Sequence, residues 1–234
     1  MSDSPQPVLE LRDVTCAADG HAVRAVSLRF HAGGMYFIAG ECAARRAALL
    51  RVLGLVDPPE GGDVLLETRN IGTLAGPDRD ELRNQRCGFL FAAPFLLPAF
   101  SVVENVAMPL FKISHFTPEQ ARERTDLLLA FVGLTDEAQQ SIDDITRLQQ
   151  HSVSLARALA NDPAILTVES FDAALGAEDS AAFSALLRQS CAHFGVAVIA
   201  SVAEDFSFEP GDHILAIDAA GAVRESIVEG KPIA

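Results

Sequence analysis

At 234 residues, 49% of them apolar, the chain is long enough to bury a sizeable core and too apolar to be disordered. Its formal net charge of −14 disfavours nucleic acid and bare anionic membrane surfaces as partners. No apolar run approaches the ~18 residues of a transmembrane helix, and MSDSPQPVLE has no basic or apolar leader pattern, so cytoplasmic residence without direct membrane insertion is expected. Cys16, Cys42, Cys87 and Cys191 lie far apart and are expected as reduced thiols in core or loop positions. The histidines at 21, 31, 115, 151, 193 and 213 form no ligand-spaced pair, so each is read as a surface or internally satisfied side chain, and no metal site is expected.

In chain order, Val8 to Val14 alternates apolar and polar residues as a half-buried strand does, and Ala25 to Phe30 repeats the pattern before a Gly33-Gly34 turn. Met35 to Ala39 is a short apolar run suited to a strand buried on both faces. It ends at Gly40, and Arg45 to Leu55 then carries helical spacing. This is the outline of a strand, a phosphate-binding loop and a helix, for which a working loop reads G-x-x-x-x-G-K-[ST]. Gly40 keeps the first glycine, Glu41, Cys42, Ala43 and Ala44 fill the spacer, and Arg45 stands at the second glycine. Arg46 takes the lysine position, Ala47 the hydroxyl position, and Ala48 follows. The frame is present without the groups that grip phosphate.

A turn at Asp57–Gly62 leads to a strand over Asp63–Glu67. Thr117-Pro118 predicts a helix start for Glu119 to Gly133, and Val153 to Asn161 reads as a second helix closed by Asp162-Pro163. Ala164 to Val168 and Val196 to Ala200 read as buried strands flanking a helix over Asp179–Phe194. Ile214 to Ile217 and Ala222 to Glu225 read as a hairpin around Ala219-Ala220-Gly221. Alternating strands and helices imply an α/β fold with a largely parallel sheet, into which the helical middle is inserted.

From Leu9 to Glu225 the chain resembles the ATP-binding subunits of ABC transporters, in the branch of lipoprotein release, macrolide export and cell division. The resemblance rests on VLGLVDPPEGGDV at 52–64, CGFLFAAPFLLPAFSVVENVAMPL at 87–110 and LARALANDPAIL at 155–166, in family order and spacing. It implies the P-loop NTPase fold of an ABC nucleotide-binding domain, with an antiparallel β portion at the N-terminus. It implies one ABC-type domain over 1–234, with a core of 1–91 and 162–234 and a helical subdomain over about 92–161.

The resemblance also locates the family's functional positions. The Q-loop glutamine falls at Ala92. The signature L-S-G-G-Q reads Ile145-Thr146-Arg147-Leu148-Gln149, and Arg147 and Leu148 are expected to obstruct its contact with phosphate. The Walker B pair falls at Glu169-Ser170, and a serine cannot serve as the general base that polarises water. The D-loop aspartate falls at Gly176, the switch histidine at Val202, and the adenine-stacking aromatic near Ala17, where Thr15 to Asp19 offers none. Family sites are shared between two subunits, and this chain alters both halves. The resemblance therefore implies a pseudo-ATPase, with no catalytic residue and no cofactor expected, serving as a structural or regulatory subunit. It would be peripheral on the inner face of the membrane, on a permease, as a homodimer or a heterodimer with an active ABC ATPase. The alternatives are a divergent but working subunit that uses ATP and Mg²⁺, and a stand-alone binding module that uses the old cleft or dimer face.

Blander readings stand beside these. Arg45-Arg46 is read as an exposed charged pair, or else as a residual anion site at a helix N-terminus. Glu169 is read as a buried or capping carboxylate, and Asp136, Glu137, Asp143 and Asp144 as a solvated face. Phe89, Phe91, Phe95 and Phe100 lie where the family's membrane subunit docks. Core packing is expected to absorb most of them, and any exposed remainder would be an interface.

Overall fold

Two kinds of strand build two sheets. The structure, a computed structural model, describes residues 6–112 and 116–229, so His115 lies outside the described residues. β1 (Leu9–Ala18) and β2 (His21–Phe30) pair antiparallel, with Leu11 opposite Leu28 and Cys16 opposite Val23. Both outrun the expected strands, because Asp13 and Ala25 adopt positive φ (50° and 52°) and the register shifts between Leu11 and Val14. A bulge breaks the two-residue period on which the sequence reading depends, and the strands continue past it. β3 (Met35–Ala39) is buried along nearly its whole length, and α1 (Ala43–Leu53) follows it. β4 (Gly61–Leu66) and β5 (Arg69–Asn70) complete an antiparallel sheet of order β2-β1-β4-β5.

The next segment was not foreseen as elements. α2 (Gly76–Arg86) has no buried residue, so no apolar period marks it. β6 (Cys87–Leu90) is short, and α3 (Val102–Lys112) contains Pro109. α4 (Pro118–Phe131) starts as expected, with Thr117 and Gln120 forming a capping box. After a 3-10 turn at Ile142–Asp144 comes α5 (Arg147–Leu159), six residues earlier than the expected start at Val153. Thr146 and Gln149 form a second capping box there, and that pairing begins the helix.

β7 (Ile165–Glu169), α6 (Phe171–Ala174), α7 (Ala177–Phe194), β8 (Ala197–Ser201), β9 (His213–Ile217) and β10 (Val223–Ile227) close the chain. The second sheet has the order β10-β9-β3-β8-β7-β6. Its strands are parallel except for the β9–β10 hairpin. Alternation along β3 divides the core. Tyr36 and Ile38 join α1 and the antiparallel sheet on one face, while Met35 and Phe37 join α3, α4, α5 and α7 on the other. The carboxyl ends of β3, β6, β7, β8 and β9 therefore share one edge, and the motif positions gather along it.

Candidate functional site

The loop after β3 is three residues long, Gly40 to Cys42, before α1 begins at Ala43. Gly40 has φ +142°, and a Cβ on it would lie 2.5 Å from the Ile217 carbonyl oxygen. The retained glycine thus has a packing reason, close approach to the end of β9. Cys42 precedes the helix in extended conformation and makes no side-chain cap.

Arg45 and Arg46 are not an exposed pair. Both are half-buried, and each guanidinium is bound to a backbone carbonyl. Arg45 Nε donates to the Ala22 oxygen at 3.1 Å. Arg46 Nη1 folds back and donates to the Gly40 oxygen, while its Nε is buried without a partner. The cation at the lysine position is therefore bound to the loop itself. Glu41 and Ala43 are exposed, Ala44 and Ala47 half-buried, and Ala48 is buried in the core.

A cleft of about 310 Å³ lies beside the loop. Its charged lining is Glu41, Glu204, Asp218 and Arg45, three carboxylates against one guanidinium. Backbone N–H groups of Ala222 and Ala220 hold the Asp218 carboxyl below its ordinary pKa and so keep it ionised. Glu204 and Asp218 went unnoticed in the sequence because they follow β8 and β9. Only the sheet order carries those loops to Gly40.

The remaining positions are occupied structurally. Ala92, just beyond β6, presents its carbonyl to His151 Nε2 at 3.3 Å, and His151 Nδ1 faces the Arg147 oxygen at 3.0 Å. His151 is buried, which agrees with an internally satisfied histidine. Ile145 is buried, and Thr146 and Gln149 are engaged with each other; Gln149 also donates to Glu137 at 3.1 Å. Of the two expected obstructions, Arg147 is exposed, whereas Leu148 is half-buried against the helical core.

Glu169 ends β7 half-buried, in register with Ser201. Ser170 has φ +40° and donates its N–H to the Ser201 oxygen at 3.0 Å. Asp172 Oδ2 accepts the Ala203 N–H at 2.7 Å, tying α6 to the turn after β8. Val202 is fully buried and faces the core, and Gly176 precedes α7 with open space where a Cβ would stand. Among the described residues, no group of three or more His, Cys, Asp or Glu side chains is placed to hold a metal ion.

The aromatic residues depart from expectation. Phe91, Phe95 and Phe100 are 45%, 67% and 40% exposed, so core packing absorbs only a minority of the four. Their loop is rigidly tied. Asn105, fully buried, accepts the Leu97 N–H and donates to the Leu97, Phe100 and Ser101 oxygens. Arg157 donates to the Pro94 and Phe95 oxygens. Tying the backbone while exposing the rings holds apolar surface in solvent.

The family model described as ABC transporter matches residues 23–169. The lipoprotein-releasing system ATP-binding protein LolD of Hyphomonas neptunium is 32% identical over 169 residues, covering 70% of this chain and 74% of that protein. The macrolide export ATP-binding/permease protein MacB of Pasteurella multocida is 30% identical over 189 residues, 78% of this chain but 29% of that longer protein. Among solved structures, the dimeric ATP-binding cassette MJ0796 bound to ADP and phosphate superposes with a TM-score of 0.75 at 24% identity, over 95% of this chain and all of that one. The cbiO1 subunit of Clostridium perfringens, part of the ABC transporter complex cbiONQ, gives 0.84 at 18% identity, over 95% of this chain and 89% of that one. These two likenesses establish the fold.

Proposed function

This chain belongs to the ABC transporter family as an ATP-binding cassette, and we propose that within it the chain is a pseudo-ATPase, a structural or regulatory cytoplasmic subunit of an export or release complex. The observation that carries this reading is the Arg46 guanidinium bound to the Gly40 carbonyl, beside a cleft that three carboxylates line. A triphosphate needs donors and cations converging on it. Here the two cations are engaged with carbonyls, and the uncompensated charge is negative. Mg²⁺ fares no better, because Ala47 offers no hydroxyl and Ala92 no side-chain oxygen. ATP and Mg²⁺ do not fit these residues.

A permease is the proposed docking partner, on the inner face of the membrane. Support comes from the tied loop that exposes Phe91, Phe95 and Phe100, and from MacB, which carries ATP-binding and permease functions in one protein. The dimeric state of MJ0796 and the cbiONQ complex support an assembled rather than solitary subunit. A working, divergent ATP-binding subunit is the second reading, favoured by two arginines at the uncapped N-terminus of α1 and by ATP-binding relatives.

Mg-ATP titration with thermal-shift readout separates the two, together with phosphate release measured alone and with a family ATPase. Millimolar Mg-ATP is expected to leave the melting temperature unchanged, since a ligand that binds only the native state must raise it. Stabilisation together with phosphate release that Glu169→Ala abolishes would establish the second reading instead.

A further inference from the structure

A second cavity, of about 510 Å³, opens between α6, the first turns of α7 and the loop after β8. That volume lies within the ~300–1,000 Å³ of small-molecule sites. It shares no lining residue with the cleft beside Gly40, although one loop serves both: Glu204 lines the cleft and Asp205 lines the cavity. α7 makes the room. Ala177, Ser180, Ala181 and Ser184 recur at helical spacing on the lining face, so that side of the helix carries only small side chains there.

The loop contributes an aromatic lining. Phe206 and Phe208 are half-buried and meet edge to face, with ring centroids 5.3 Å apart. Phe206 also rests on Phe37 at 4.9 Å, so the pair is anchored to the core. Anchored rings offer apolar contact, and their faces attract a cation.

The charged lining residues are Asp172, Asp205 and Glu209, all of one sign. Glu209 is already paired, its Oε1 3.2 Å from Arg188 Nη1, and the same nitrogen donates to Ser184 Oγ at 2.7 Å. Asp205 is exposed, and its carboxylate makes no hydrogen bond or ion pair among the described residues. Asp172 is half satisfied. Its Oδ2 accepts the Ala203 N–H, whereas Oδ1 is buried with no partner among the described residues. A buried carboxylate oxygen without a donor is costly. The group that removes the deficit is an N–H that carries positive charge. An anion is repelled, and a quaternary ammonium has no N–H to give.

We propose that this cavity is a binding site for a small primary or secondary amine with an aromatic or alkyl body. The ammonium donates to Asp172 and Asp205, and the body lies against Phe206, Phe208 and the small side chains of α7. The broad χ2 of an aspartate lets the Asp172 carboxylate turn its free oxygen toward the cavity it lines. The ligand thereby bridges α6 and the loop that Asp172 already holds through Ala203. The site stands apart from the pseudo-ATPase reading, because no residue of the Gly40 cleft lines it.

Isothermal titration calorimetry and amide NMR spectra of the full chain without nucleotide test this. Phenethylamine is the probe, with phenethyl alcohol and hydrocinnamate as its neutral and anionic counterparts. The amine is expected to bind saturably with a Kd of about 0.1–5 mM, and the other two at least ~10-fold more weakly. Amide signals of Ser184, Ala203 and Asp205 are expected to shift, and those of Gly40, Glu41 and Asp218 to stay. D172N keeps an oxygen for the Ala203 N–H and turns the other atom into a donor, so it and D205N should each weaken the amine at least ~5-fold. A181L fills the cavity from an exposed position and is expected to abolish binding. Circular dichroism melting verifies the fold of each variant. No saturation below about 20 mM amine overturns the inference. So do equal affinity for the alcohol or the acid, binding that A181L leaves intact, and shifts centred on Gly40, which would seat the amine in the other cleft. Each of these outcomes leaves the pseudo-ATPase reading standing, since Mg-ATP titration alone decides that.

Discussion

Replacing Gly40 by alanine separates a glycine kept for phosphate from one kept for the fold. At φ +142° an L-residue is strained by about 1–3 kcal/mol. The new Cβ would also stand 2.5 Å from the Ile217 carbonyl oxygen, a backbone atom at the end of β9 that no rotamer change can move aside. Overpacking of that kind adds about 1–3 kcal/mol, and relaxation of one strain partly relieves the other, for a total of about 2–5 kcal/mol. In a chain of this length each kcal/mol lowers the melting temperature by about 2–4 °C, so the drop is about 4–20 °C. Gly76→Ala is the control. A Cβ there meets nothing within 4 Å, and alanine at this helical position is neutral or stabilising by up to ~1 kcal/mol. Differential scanning calorimetry without nucleotide reads both. A Gly40→Ala protein melting within 1 °C of wild type would refute the argument that packing against β9 retains this glycine.

Asp212→Ala is expected to cost about 2–4 kcal/mol in a denaturant titration. It strands Arg188, whose Nε and Nη2 bond the buried carboxylate at 3.2 and 2.7 Å, although Glu209 and Ser184 still hold the guanidinium. A loss under 0.5 kcal/mol would mean the pair contributes little. Thiol labelling should be selective at pH 8. Burial pushes Cys87 up to about 12 and Cys16 and Cys191 up to about 11, so their thiolate fractions are ~10⁻³ or less, whereas Cys42 is only half-buried in the cleft wall. One thiol per native chain should react quickly with a chromogenic disulfide, Cys42→Ala should abolish that phase, and raising the pH toward 11 should bring in the others. A fast phase that survives Cys42→Ala would contradict these burials.

Local pattern in the sequence determined the order of the longer elements outside residues 69–112, the twice-buried strands such as Met35–Ala39 and the family. Each of these is recorded in the spacing of apolar residues and turns along a short stretch. The same logic fails where the period is broken or absent. Asp13 and Ala25 hid the true length of the first two strands by bulging, α2 left no apolar period because only Leu82 packs, half-buried, against the core, and the Thr146–Gln149 box starting α5 was read only as an altered motif. The residues at the expected phosphate-binding positions were legible one by one, but their partners were not. Only the tertiary structure turned Arg45 toward Ala22, folded Arg46 onto Gly40 and brought Glu204 and Asp218 beside Glu41. The charge of a cleft is a property of loops that meet through space, and the order of parallel strands decides which loops meet.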